Sequence, residues 1–134
     1  MLARLLGDAG TPTIVDLCSG ATGPWSTLID ALSAHGVDSV HVTFTDKHVN
    51  QKAVHELELR RDRRLMYHPS SIDALRVPAT LRRGVRTMFT GFHHFRPADA
   101  LSILESARRD RVPIAVFEIT ERSLRSPFPS DSSS

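Results

Sequence analysis

The chain has 134 residues and a formal net charge of +2 at pH 7, so its length is that of one domain and its charge alone does not imply a nucleic-acid partner. Its residues are 40% hydrophobic and 24% charged, the balance of a soluble globular protein, and a chain this long buries roughly two-thirds of its unfolded surface. Cys18 is the single cysteine, which excludes an internal disulfide and fits a reducing compartment. No apolar run approaches the ~20 residues of a membrane span, and Met1 to Gly10 does not read as a signal peptide. The expectation is a cytoplasmic protein without a membrane partner.

In chain order, Leu2 to Leu6 reads as a short leading helix and Thr13 to Leu17 as a first strand. Trp25 to His35 has a helical period in Trp25, Leu28, Ile29 and Leu32 and stops at Gly36. Ser39 to Thr45 alternates Val40, Val42 and Phe44 and reads as a second strand. Asn50 to Arg61 is a second helix with Ala53, Val54 and Leu57 on one face, and Leu65 to Tyr67 a short third strand. Pro78 to Arg83 reads as a brief helix closed by Gly84, and Val85 to Phe89 as a fourth strand. Pro97 suits the first position of a helix to Arg109. Val112 to Ile119 is the fifth strand, and the Ser- and Pro-rich stretch 123–134 reads as a disordered tail.

Strands alternating with helices predict a parallel sheet covered on both faces, with ligands at the carboxyl ends of the strands. Charges sort along that axis. Asp16, Asp46, Asp73 and Glu118 fall at or just after strand carboxyl ends. The cations are nearly all arginine and cluster at the other end, at Arg60 to Arg64, at Arg82, Arg83 and Arg86, and at Arg108, Arg109 and Arg111. Those clusters complement helix C-terminal dipoles or form an anionic partner surface; either way, a nucleic-acid substrate would meet its positive patch on the wrong side.

The segment Thr13 to Pro24 carries the most chemistry. A β-rich apolar run ends in Asp16, a loop of small residues follows, and a helix begins. Gly20 admits close approach of a ligand to the backbone, and the helix start offers unpaired N–H groups. Asp46, after the second strand, stands where two oxygens can accept from the adjacent hydroxyls of a ribose. Each carboxylate also has a structural reading, Asp16 and Asp46 as helix N-terminal groups and Asp73 as loop chemistry. His93 and His94 are neighbours on an extended segment and point to opposite sides, so they do not form a metal pair and no metal site is expected. One of them can act as a general base, or pack structurally. Cys18 lacks a partner base and reads as a loop residue.

Placed in this order, the residues resemble the class I S-adenosylmethionine-dependent methyltransferases. Asp16-Leu17-Cys18-Ser19-Gly20-Ala21-Thr22-Gly23 is similar to their first motif, and Thr45-Asp46-Lys47 to their ribose-binding acidic site. Ser70-Ser71-Ile72-Asp73-Ala74 resembles the loop on the adenine side. Phe89-Thr90-Gly91-Phe92-His93-His94-Phe95 resembles the segment after the fourth strand, and Val116-Phe117-Glu118 the fifth strand. The resemblance implies a Rossmann-like α/β sandwich over 1–122 with strand order 3-2-1-4-5. It implies S-adenosylmethionine held by Asp16, Cys18, Ser19, Gly20, Asp46, Lys47, Ser71, Ile72, Asp73 and Thr90, with His93 and His94 as catalytic candidates. Cys18 and Thr22 stand where that family usually has glycines, and the family's C-terminal helix and β-hairpin have no counterpart in this sequence.

The function implied is methyl transfer to a small-molecule acceptor. A second reading is a non-catalytic methyltransferase-fold module serving as a partner subunit. A dinucleotide-binding oxidoreductase is disfavoured, because Gly20 and Gly23 lack the first glycine of G-x-G-x-x-G. The apolar run Ile114 to Phe117 falls at a sheet edge, so self-association or a partner chain at the fifth strand is expected.

Overall fold

The computed structural model describes residues 13–37, 39–89 and 95–117. Five strands form one sheet: β1 (Thr13–Leu17), β2 (His41–Phe44), β3 (Leu65–Tyr67), β4 (Val85–Phe89) and β5 (Ile114–Phe117). Their order is β3-β2-β1-β4-β5 and every pairing is parallel. The helices α1 (Trp25–Ala34), α2 (Gln51–Arg60) and α3 (Pro97–Arg109) supply three of the four crossovers, and the connection from β3 to β4 holds only a 3-10 turn. This is a Rossmann-like α/β fold, with the strand order reversing beside β1.

The period-2 alternation of β1 and β4 divides the core. Ile14 and Val85 face one layer with Trp25, Ile29, Leu32 and Ala53 of α1 and α2. Val15, Leu17 and Met88 face the other, with Ile103 of α3 and with Ala74 and Val77. Both layers are needed, because a parallel sheet is buried on two faces. On the α1 side, aromatic rings line the carboxyl ends of the strands. Trp25 meets Phe44 and Phe89 edge-on at centroid distances of 6.5 and 5.8 Å. Phe44 leans on Tyr67, and Phe89 stacks on Phe117 at 4.8 Å.

Local chemistry sets the element ends. The Asn50 side chain accepts from the Ala53 N–H at 2.9 Å and so caps α2. Pro97 opens α3 at its first turn. The helix expected over Pro78 to Arg83 is a 3-10 turn, Ala79–Leu81. Its bonds run from Leu81 to Pro78 and from Arg82 to Ala79, and β4 begins too soon for a second turn. The expected fifth strand begins at Ile114 instead of Val112, because Pro113 has no N–H for the ladder; its carbonyl accepts from the Arg86 N–H at 2.9 Å. Arg86 was expected in a surface cluster, but it lies within β4 and is buried. Its guanidinium donates to Ser106 Oγ at 3.3 Å and pairs with Asp110. Alternation along β4 turns Arg86 inward toward α3, so one of the sequence's surface cations is a core residue. The proposed leading helix, Glu118 and the proposed tail lie outside the described residues. Among the described residues, no helix is long and apolar enough to cross a membrane.

Gly84 sits where β4 enters the sheet. Its φ is +106°, and a Cβ there would stand 2.7 Å from the Thr13 carbonyl oxygen. Both the dihedral and the backbone contact exclude a side chain. Gly84→Ala is expected to lower stability by on the order of 2 kcal/mol, read as a fall in the urea midpoint with an unchanged slope.

Candidate functional site

Asp16 is the last but one residue of β1 and only 2% exposed. Parallel pairing sets it beside Thr87 of β4, whose hydroxyl donates to one carboxylate oxygen. Ser19 Oγ donates to the other at 2.7 Å. The Asp16 main-chain carbonyl accepts from the Thr45 N–H at 2.9 Å and the Thr45 hydroxyl at 2.7 Å, tying β1 to the end of β2. The Ser19 N–H returns to the Thr45 carbonyl at 2.8 Å and folds the loop over β2. The carboxylate is thus enclosed by its own loop and strands. Burial raises its pKa to about 6, against the hydrogen bonds from Thr87 and Ser19, which pull it down. The Trp25 indole N–H faces the same carboxylate without completing a hydrogen bond, so its pull is weak.

The loop after β1 is left-handed at four positions: Cys18 (φ 55°), Gly20 (52°), Thr22 (73°) and Gly23 (55°). For Cys18 and Thr22 this conformation costs roughly 1–2 kcal/mol each. These are the two positions where the resembled family usually has glycine, and the backbone supplies the physical reason. A Cβ at Gly20 would meet no atom within 4 Å, so the space over the loop is open.

Asp46 follows β2 and is half-buried. One of its oxygens accepts from the Gly20 N–H at 2.8 Å and the other from the His48 N–H at 3.1 Å. Carboxylate oxygens have further lone pairs, so both remain able to accept from a ligand. Lys47 is exposed, and its carbonyl accepts from Ser71 Oγ at 2.6 Å. The buried Ile72 donates its N–H to the Asp46 carbonyl at 2.9 Å, which brings the loop after β3 against the end of β2. Asp73 caps that loop by accepting from the Leu75 N–H at 2.9 Å. The structure therefore brings Asp16, Cys18, Ser19, Gly20, Asp46, Lys47, Ser71, Ile72 and Asp73 to the carboxyl ends of β1, β2 and β3. Thr90, His93 and His94 lie outside the described residues.

Sequence reasoning missed three supporting groups. Thr45 and Thr87 bind Asp16, and the Tyr67 hydroxyl donates to the Gly20 carbonyl at 3.0 Å. Each is the kind of strand-end polar residue whose role depends on its neighbour across the sheet; only the position of Thr45 beside Asp46 was a signal. The field here is negative. Burial, with the carboxylates of Asp46, Asp16 and Asp73 acting the same way, raises the Cys18 thiol to about 11. Cys18 is a neutral thiol, not a nucleophile. Among the described residues, no group of three His, Cys, Asp or Glu side chains is arranged to hold a metal ion.

No family model and no curated protein sequence matches the chain. Among solved structures, it is similar to an O-methyltransferase family protein from Burkholderia thailandensis, with a TM-score of 0.56 and 16% identity. The match covers 93% of this chain and 39% of that one, so this chain spans about two-fifths of its neighbour's length. The fold is methyltransferase-like. At this identity the likeness concerns the fold, and the chemistry is argued from the chain's own residues.

The raised Asp16 pKa has a defined linkage. In the folded state Asp16 holds its proton to about pH 6, whereas the unfolded carboxyl releases it near its ordinary value of 3.8. Between those values the folded state binds more protons, so this group's contribution to stability falls as pH rises through the window. Asp16→Asn removes the titration. The stability of the wild type relative to this variant is expected to drop between pH 4 and 6 by up to about 3 kcal/mol, measured by denaturant unfolding across that range.

Proposed function

We propose that the chain binds S-adenosylmethionine at the carboxyl ends of β1 to β3 and transfers its methyl group to a small-molecule acceptor. One observation carries the reading: the Asp46 carboxylate and the Gly20 backbone are joined by a single 2.8 Å hydrogen bond, beside open space. A carboxylate that accepts ribose hydroxyls is thereby fixed to the loop that lets a ligand approach. The fit is also electrostatic. The cofactor carries a sulfonium and an ammonium group, and the carboxylates of Asp46, Asp16 and Asp73 around Cys18 give such a cation a favourable field. The methyltransferase-like fold supports the same ligand class.

The residues divide the work. Asp46 receives the ribose hydroxyls, while the Ser71–Asp73 loop, tied to β2 through Ile72 and Ser71, flanks the base. Asp16 fixes the loop from beneath, through Ser19 and Thr45, and sets the charge under the amino-acid end. The bound cofactor supplies an already activated methyl group. Alignment with the acceptor and exclusion of water are the tasks left to the protein. Where the acceptor must lose a proton, His93 or His94 is proposed to take it.

A second reading is a cofactor-binding module whose acceptor site is completed by another chain. It is favoured by the position of β5 as an outer strand of the described sheet.

S-adenosylhomocysteine is the probe for the cofactor site. Calorimetry should give saturable binding, weakened in Asp46→Asn by about 1.5–3 kcal/mol, the worth of a charge-assisted hydrogen bond. Unchanged affinity would remove Asp46 from the site, and no binding to the wild type would remove the cofactor. In methyl-transfer assays over a panel of acceptors, His93→Gln or His94→Gln should slow turnover by ~10²-fold where a base is needed. Full activity in both variants leaves alignment alone as the protein's contribution.

A further inference from the structure

At the other end of the sheet, arginines outnumber the carboxylates that answer them. Two adjoining recesses of about 600 and 540 Å³ flank the last turn of α3, and Arg109 lines both. Arg76 and Arg82, from the connection between β3 and β4, line the larger one with Ser106 and Asp110. Asp110 is already committed to the buried Arg86, which also bonds Ser106. Arg82 Nε stands 3.6 Å from the second Asp110 oxygen. Among the described residues, Arg76 and Arg109 have no ion pair.

Two ordinary explanations fail here. Arginines at a helix C-terminus often serve its free carbonyls. In α3, however, the carbonyls of Ser106, Ala107 and Arg108 already accept from the N–H groups of Asp110, Val112 and Arg111. Arg76 and Arg82 are not on that helix at all. Nor is the charge merely a solvated edge with internal pairing. The Arg60 to Arg64 cluster has that form, since Asp62 accepts from both Arg60 and Arg64. Around the larger recess, three guanidinium groups from two chain segments share one carboxylate, Asp110, which pairs with Arg82 and the buried Arg86 and, among the described residues, leaves Arg76 and Arg109 without an ion pair.

We propose that this recess binds a phosphorylated small molecule through Arg76, Arg82 and Arg109. Planar guanidinium forks match phosphoryl oxygens and remain charged at all working pH values. The recess volume falls within the range of small-ligand pockets and exceeds one phosphate, which fits a diphosphate or nucleotide-sized ligand. The site lies at the amino ends of β4 and β5, away from the carboxyl-end crevice, and does not depend on the methyl-transfer reading.

The test is a ¹⁵N chemical-shift titration of the full chain with inorganic pyrophosphate. Saturable shifts are expected in the amides of 76–82 and 106–110. Arg76→Gln and Arg109→Gln should each weaken binding about ten-fold or more, while Arg61→Gln leaves it unchanged. Each substituted arginine is exposed, and the retained amide spectrum reports that the variants fold. Absence of saturation at millimolar pyrophosphate would overturn the proposal. So would equal weakening by Arg61→Gln, or tighter binding of a single-stranded oligonucleotide with shifts spread over all the arginine clusters, which would make the face a general polyanion surface.

Discussion

Four pieces of chain meet at the buried Asp16. Its carboxylate holds Thr87 of β4 and Ser19 of the following loop, and its carbonyl holds Thr45 at the end of β2. The crevice exists because these bonds are made together. A buried carboxylate without partners would be strongly destabilising. With them it fixes the reversal point of the sheet and the path of the loop. The penalty of enclosing the charge is only partly offset, which is why the group holds its proton to about pH 6. Stability is given up beneath the loop after β1, an arrangement common at functional sites.

The same loop carries backbone strain. Cys18 and Thr22 adopt left-handed conformations that glycine adopts without steric cost. They are kept there by the hydrogen bonds of Ser19 to Thr45 and of Gly20 to Asp46 and Tyr67. The strained segment is thus pinned to the end of β2 and to β3, so its shape is set before any ligand arrives. Preorganisation of this kind lowers the ordering cost of binding.

Charge is distributed along the strand axis. Carboxylates gather at the carboxyl ends, where they add to burial in raising the Cys18 thiol and make the local field negative. Arginines gather at the amino ends, some paired by Asp62 and others left facing the recess beside α3. The two ends of one small sheet therefore offer opposite chemistry. The aromatic row from Tyr67 through Phe44, Trp25 and Phe89 to Phe117 lies near the carboxyl ends on the α1 face, a rigid apolar support under the acidic crevice.

The sequence by itself marked most of the elements and a parallel sheet, because apolar periodicity and the strand–helix alternation are local signals; the strand order followed from the resemblance of its motifs to a known family. The sequence also marked Asp16, Gly20 and Asp46, since strand-end carboxylates and small-residue turns are visible in a linear string. Local reading erred where a neighbour in space decided the outcome. Pro113 shortened β5 through the ladder bond it cannot make, and the early start of β4 leaves room for only a single 3-10 turn after Pro78. Only the tertiary structure decided that Arg86 is a core residue paired with Asp110, and that Thr45, Thr87 and Tyr67 serve the site. The physical reason is the same in each case. A side chain's burial and its hydrogen-bond partners are set by register across the sheet, and register joins residues that the sequence keeps far apart.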